Sequence, residues 1–511
     1  MTQARIVLDP SHIVGPLNRR VFGSFVEHLG RCVYNGIYEP GHLSADRDGF
    51  RTDVMDMVRE LGVTTVRYPG GNFVSGYRWE DGVGPRDRRP KRLDLAWHSM
   101  ETNEVGLHEI ATWSERVGTE LMLALNLGTR GTHAALDLLE YVNIPAGSAL
   151  AERRAANGSP DSFNVRMWCL GNEMDGPWQL GHRSAEDYGK IATQTAKAMR
   201  QMDPDLELVA CGSSNRSMPT FGTWERVVLE HTYDDVDFTS CHAYYQERDG
   251  DRGSFLASAT DMDAFIEAVS STADSVKAAR RSERTIDISF DEWNVWYQDR
   301  YQQGGKITGF DNWPYAPRLL EDQYSVTDAV VVGSLLISLL KHADRVKAAC
   351  LAQLVNVIAP IMTEPGGPAW RQTIFLPFAI TAHLAQGTVL RLAVECPSYQ
   401  TAVYGHVPLV DAVATIDDGS GTIAFFLVNR ALETATTVSV DLGSLPPVRL
   451  GEYLTLAHDD PTAANTLDRQ ERVAPARNQS ARIESGLLTV DLPPISWTAF
   501  ELIHTNGDTH A

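Results

Sequence analysis

Two hydrophobic rhythms divide the chain. From about residue 20, short runs that are apolar at nearly every position alternate with longer stretches whose apolar residues recur every three or four positions. The first kind reads as strands buried on both faces, as in a parallel sheet, and the second as amphipathic helices. Strands are predicted at 21–25, 64–68, 121–127, 165–170, 206–211, 236–241, 285–290 and 346–354. Helices are predicted at 52–61, 107–117, 185–202, 262–279 and 328–343, the last N-capped by the pair Thr327-Asp328. Eight strands alternating with helices fit a (β/α)8 barrel, placed at 17–386. An open doubly wound sheet satisfies the same alternation, but no G-x-G-x-x-G follows the first strand, so nucleotide binding has no support.

After Gly387 the period shortens to two. Alternating runs at 402–404, 422–429, 436–440, 487–492 and 498–502 are punctuated by Asp417-Asp418-Gly419, Pro446-Pro447 and Pro493-Pro494. This is the pattern of a β-sandwich, placed at 387–511 and joined by the strand-like residues 1–16, which find no partner in the barrel.

Composition narrows the function. The 43% hydrophobic content supports a full core, and the net charge of −21 disfavours nucleic acid and anionic membranes as partners. The basic run RDRRPKR, Arg86 to Arg92, reads as a solvated loop. No C-x-x-C pair occurs among the six cysteines, four of which lie in apolar runs, so they are expected to be reduced. The N-terminus lacks a signal-peptide pattern, and the apolar run 329–340 falls short of the ~20 residues of a membrane span. A soluble cytoplasmic protein is the expectation, and the N-x-[ST] sequons at Asn215 and Asn478 then carry no weight.

In a barrel, side chains at the C-terminal ends of the strands converge on one pocket. Those ends read Glu27-His28; Arg67 and Gly70-Gly71-Asn72; Asn126; Asn172-Glu173; His242 and Tyr244; Glu292; Gln353 and Asn356. Amides, a phenol and carboxylates in a ring match the donor and acceptor inventory of an uncharged polyhydroxylated ligand. Nothing has zinc or calcium spacing, and neither a metal nor another cofactor is expected. Glu173 on the fourth strand and Glu292 on the seventh face each other across such a barrel. Glycoside hydrolysis needs such a pair, one protonated acid and one carboxylate. Arg67 is placed to pair with Glu292 and keep it ionised, and Asn172 to hold the hydroxyl beside the reacting carbon.

The stretches FGSFVEHLGRCVYNGIY, VRYPGGNFVSGYRWEDGVGPR, LDLAWHSMETNEVG, WCLGNEMDGPWQLG, SCHAYY, FDEWNVW and AQLVNVIAPI resemble the signature blocks of the α-L-arabinofuranosidases of glycoside hydrolase family 51. The G-N-E block alone is shared by many barrel glycosidases, whereas E-H-L-G-R and R-Y-P-G-G-N-F are more specific. The resemblance implies that Glu173 is the general acid/base and Glu292 the nucleophile. It also implies that Glu27, Arg67, Asn72, Asn172, His242, Tyr244 and Gln353 line the sugar pocket, with Trp97 and Trp296 contacting the leaving sugar. It further implies a retaining, exo-acting, metal-independent, intracellular and hexameric enzyme that releases terminal arabinofuranose from arabino- and arabinoxylo-oligosaccharides. The rivals are another retaining barrel glycosidase (a β-xylosidase or an endoglucanase), a non-catalytic sugar-binding barrel, and an enolising isomerase.

Overall fold

The structure is a computed structural model that describes residues 2–309 and 311–505. Eight parallel strands close a barrel: Gly23–Phe25, Thr65–Tyr68, Glu120–Ala124, Met167–Cys169, Glu207–Ala210, Phe238–Tyr245, Asp287–Val295 and Val346–Leu351. They lie in chain order, and the last pairs with the first through Cys350–Gly23 and Leu351–Ser24.

Three predicted helices have the expected bounds, Thr52–Leu61, Leu107–Val117 and Ala185–Met202. Helix Val326–Lys341 starts earlier than expected. Its N-cap is Ser325, whose hydroxyl accepts from the Asp328 N–H while Asp328 accepts from the Ser325 N–H. This reciprocal capping box displaces the predicted Thr327-Asp328 cap.

The barrel strands depart from expectation where it matters for chemistry. The third stops at Ala124, which leaves Asn126 in the following turn. The sixth and seventh run on to Tyr245 and Val295, so His242, Tyr244 and Glu292 sit within strands instead of after them.

The C-terminal strands form one continuous ten-stranded sheet. Its order is Ala476–Arg477, Val448–Leu456, Ser496–His504, Ile423–Asn429, Val410–Ile416, Thr388–Glu395, Thr2–Pro16, Thr436–Asp441, Leu487–Leu492 and Arg482–Glu484. The sheet curls so that its two halves enclose a second core, where Val438, Val440, Leu488 and Val490 cluster with Phe425, Phe500 and Leu502. Thr2–Pro16 lies mid-sheet, antiparallel to Thr388–Glu395 and parallel to Thr436–Asp441. The run at 402–404 is not a strand; it is the turn of a hairpin between Ser398–Thr401 and Gly405–Pro408.

Alternate residues of the middle strands serve different cores. Phe425 and Phe500 face the sheet's own interior, while Phe426, Val428 and Trp497 join the barrel core. Between barrel and sheet lies helix Val326–Lys341, buried from Val326 through Leu340. A helix apolar on all sides is accounted for by this double burial. No helix among the described residues is long and apolar enough to cross a membrane.

Most of the basic run is exposed, as expected, but several of its arginines are tied to acids. Arg89 is buried on Glu109 and the carbonyls of Gly84 and Asn103, Arg86 also reaches Glu109, and Arg92 pairs with Asp81. All six cysteines are free, five of them buried.

Trp497 is wholly buried against Gly333 of the central helix, where any Cβ would run into the indole. Trp497→Ala should therefore cost about 3–5 kcal/mol by urea denaturation. Gly333→Leu should destabilise too, through overpacking. Unchanged midpoints would show that the sheet is not anchored there.

Candidate active site

The fourth barrel strand ends at Cys169, and the chain then turns sharply. Gly171 has φ +106° and Glu173 has φ +44°, a left-handed conformation that costs a non-glycine residue about 1–3 kcal/mol. The turn places Asn172 and Glu173 inside the barrel mouth, both buried. Glu173 Oε1 lies 2.9 Å from His242 Nδ1, and Glu173 Oε2 accepts a 2.6 Å hydrogen bond from the indole N–H of Trp178.

On the seventh strand the register with its neighbour slips. Ser289 pairs with Ser240, but Glu292 pairs with His242, so two residues, Phe290 and Asp291, oppose Cys241 alone. In a regular strand Asp291 and Glu292 would point to opposite faces. The bulge turns both inward, as such irregularities do beside reactive sites. Asp291 Oδ1 lies 2.8 Å from His242 Nε2, and Glu292 accepts from Tyr244 Oη at 2.8 Å and from Arg67 Nη1 at 2.9 Å. Arg67 Nη2 donates to Asn172 Oδ1 at 2.7 Å. Asn172 Nδ2 is buried with no protein partner.

The charges explain one another. Arg67 is 1% exposed, and Asp291 and Glu292 hold its guanidinium charged against burial. Burial disfavours the imidazolium of His242, but Glu292, Asp291 and Glu173 outweigh it and raise its pKa to about 10. Asp291 is pushed up by burial, yet Arg67 and His242 hold it below the usual carboxylate range. Glu292 is raised by burial and by Glu173, against the pull of His242, Arg67 and the Tyr244 hydroxyl. Glu173, His242 and Glu292 each offer one donor atom, all within 4.8 Å of one another, so these three side chains could also hold a metal ion.

A second group lines the other wall. Glu27 accepts from the Phe73 N–H, from Trp97 Nε1 at 2.8 Å and from Gln353 Nε2 at 2.9 Å. Burial raises the Glu27 carboxyl to about 8, against the Phe73 and Trp97 donors and with help from the charges of Glu292 and Asp94. Gln353 Oε1 is buried without a partner. Gly70 and Gly71 have positive φ, and a side chain there would strike the Phe25 ring and the Glu27 carboxylate respectively. Asn72 follows them, half-buried. Trp296 packs edge-on against Tyr244, and Tyr301 meets both Trp296 and Trp97.

The structure thus brings Glu27, Arg67, Trp97, Asn172, Glu173, His242, Tyr244, Glu292, Trp296 and Gln353 into one contact network, with Asn72 at its edge. Three other strand-end residues are committed elsewhere. Asn126 holds the Tyr77 carbonyl and Thr129, His28 pairs with Glu101 and Tyr68, and Asn356 braces Arg31 and Thr363. The sequence reading missed Asp291, Trp178 and Tyr301. Trp178 had a signal, an aromatic residue in a Gly-Pro-Trp loop five residues past Glu173. Tyr301 sits in the long segment after the seventh strand, which folds over the Trp97 loop by stacking Trp313 on His98 and by the bond from the Met100 N–H to the Pro314 carbonyl.

Two family profiles match this chain: "Alpha-L-arabinofuranosidase 1 domain" over residues 57–263 and "Alpha-L-arabinofuranosidase C-terminal domain" over residues 291–496. The chain is 58% identical over 508 residues to an exo-alpha-(1->6)-L-arabinofuranosidase of Bifidobacterium longum, covering 98% of this chain and 97% of that one. It is 56% identical to an intracellular exo-alpha-(1->5)-L-arabinofuranosidase of Streptomyces lividans, covering 98% of this chain and 75% of the relative. Among solved structures it superposes on AbfB, a family 51 α-L-arabinofuranosidase from Bifidobacterium longum, with a TM-score of 0.95 at 51% identity, covering 99% of this chain and 100% of the other.

His242 titrates near 10 when folded and near 6.5 when unfolded. Its ion-paired imidazolium therefore contributes stability that is complete below about 6.5 and is lost as pH rises through about 10. Asp291→Asn removes one of the anions that sustain this charge. Ring-nitrogen NMR should then show His242 deprotonating at lower pH, with the alkaline fall in Tm moving the same way. An unmoved titration would deny Asp291 its part.

Proposed function

The chain belongs to the α-L-arabinofuranosidases of glycoside hydrolase family 51, and from that premise we propose a retaining, exo-acting enzyme that releases terminal arabinofuranose from short arabino- and arabinoxylo-oligosaccharides. The observation that carries the retaining assignment is the spacing of the carboxylates: an oxygen of Glu173 and one of Glu292 lie within 4.8 Å. Retaining glycosidases hold their carboxyl groups about 5–5.5 Å apart, whereas inverting ones leave about 6.5–9.5 Å for a water.

The proposed roles follow from the partners of each group. Glu292 is surrounded by donors, the Arg67 guanidinium, the Tyr244 hydroxyl and the nearby His242, all of which favour its anion. It attacks the anomeric carbon while Glu173 protonates the departing oxygen. Glu173 then takes a proton from water, which attacks the glycosyl–enzyme ester and frees the sugar with its configuration retained. Asn172 Nδ2 and Gln353 Oε1, a donor and an acceptor left unpaired in a buried site, are satisfied by sugar hydroxyls. Glu27, whose carboxyl burial raises to about 8, accepts from Trp97 and Gln353 at the wall of the pocket.

Exo action is supported by burial. The polar groups of Glu27, Arg67, Asn172, Glu173, His242, Glu292 and Gln353 lie below the surface, as suits a site that takes a chain end. The substrate is defined here by its terminal sugar, because relatives of nearly equal identity carry different linkages in their names. We further propose a cytoplasmic enzyme, in line with relatives named intracellular, that needs no metal and assembles as a homo-hexamer.

Proton NMR of an arabinofuranoside digest should show the α anomer of the released sugar first, with the β anomer following only by mutarotation, and inversion would sink the mechanism. Glu292→Ala should lower kcat by about 10^4-fold or more, with azide restoring turnover as a glycosyl azide of inverted configuration. Glu173→Ala should keep most activity on aryl glycosides with good leaving groups and lose it on poor ones. Equal losses on both would contradict its role as acid. Preference for β-xylosides or glucans in an aryl-glycoside panel would replace the substrate assignment.

A further inference from the structure

We propose that Glu173, His242 and Glu292 form a binding site for one divalent transition-metal ion of the Zn2+ or Cu2+ type, which competes with the sugar and holds the enzyme in a reversible inactive state. The three donor atoms lie within 4.8 Å of one another, with His242 Nδ1 2.9 Å from Glu173 Oε1 and 3.6 Å from Glu292 Oε2. A tetrahedral zinc ion holds N and O ligands at about 2.0–2.2 Å, which sets its ligand atoms roughly 3.3–3.5 Å apart. Two edges of the triangle are already near that length, and a small rotation of either carboxylate shortens the third.

An independent feature of the fold favours the ion. His242 Nε2 is hydrogen-bonded to the buried Asp291 at 2.8 Å, which leaves Nδ1 facing the two glutamates. A carboxylate behind a histidine whose other nitrogen meets anionic oxygens is the arrangement that orients and strengthens metal-binding imidazoles. The bulge at Phe290–Asp291 builds it by bringing Asp291 to the same side as Glu292. On metal entry the Nδ1 proton leaves to solvent, and the ion's charge takes its place between the carboxylates. Water fills the fourth position on the side open to substrate.

The donor set decides which ions bind. One imidazole and two carboxylates suit Zn2+ and Cu2+, whereas Mg2+ and Ca2+ are hard cations that prefer an all-oxygen shell and gain little from the imidazole. Cys169 is not a ligand, since its thiol lies against Arg67 and Asp291. The ion and the anomeric carbon need the same space between Glu173 and Glu292, so they exclude each other.

The test is calorimetric titration of Zn2+ into chelator-treated, dialysed enzyme. One site per chain is expected, abolished by saturating L-arabinose. His242→Gln should lose it, and Asp291→Asn should weaken it by about 10–100-fold. Co2+ should give visible absorption of a four-coordinate ion that arabinose bleaches, and Zn2+ should inhibit hydrolysis competitively while Mg2+ and Ca2+ do not. Absence of a stoichiometric site, a site that survives His242→Gln, or zinc bound alongside arabinose overturns the proposal. If circular dichroism shows that His242→Gln is unfolded, competition by arabinose in the unaltered enzyme decides. If arabinose does not bind at all, it is the substrate reading that falls, and the His242→Gln comparison still decides this one.

Discussion

A guanidinium with almost no solvent contact sits at the centre of the barrel, and the surrounding structure exists on terms it sets. Arg67 touches Glu292, Asp291 and Asn172, drawn from two strands on opposite sides of the closed sheet. An unpaired charge at that depth would be expelled or neutralised, so the anions have to be brought to it. Once there, the anions hold His242 cationic. The two cations in turn keep three carboxylates crowded into a space where mutual repulsion would otherwise protonate or scatter them. A site of this kind is stable only as a unit, because removing one member leaves another buried without compensation.

The same reasoning shows which parts of the site were legible in the sequence. Glu173 and Glu292 each end an apolar run, and the pairing of Arg67 with Glu292 could be read from strand order, since both facts depend on side-chain type and position alone. Asp291 could not be read, because a period of two sends it to the opposite face from Glu292. Its inward turn depends on a register slip against Phe238–Tyr245, which no local pattern encodes. Asn126 was misread for a different reason: an Asn near a turn can spend its amide on local backbone, and this one does. Trp97 and Trp296 came only from family resemblance, and the indole of Trp178 was overlooked because it lies in a loop with no hydrophobic period.

At the level of the fold, the barrel and the β-rich tail were legible from the change of period, but their union was not. A strand read as alternating is taken to have one dry face. Here Ile423–Asn429 is buried on both, against its own sheet and against helix Val326–Lys341. The apolar run 329–340, too short for a membrane, is the filling between two layers. The ten-stranded sheet is continuous because Thr2–Pro16 bridges strands that would otherwise be edges.

That bridging strand imposes an order on biosynthesis. Thr2–Pro16 is made before the barrel, yet its neighbours Thr388–Glu395 and Thr436–Asp441 follow after nearly the whole barrel has been translated. At about 5–20 residues per second the leading strand waits some tens of seconds with both hydrogen-bonding edges bare. Its alternating burial, with Ala4, Ile6 and Leu8 inward and Gln3, Arg5 and Val7 outward, leaves it amphipathic rather than greasy during the wait. Synthesis of Thr388–Glu395 and Thr436–Asp441 therefore sets the moment at which Thr2–Pro16 can take its place in the sheet.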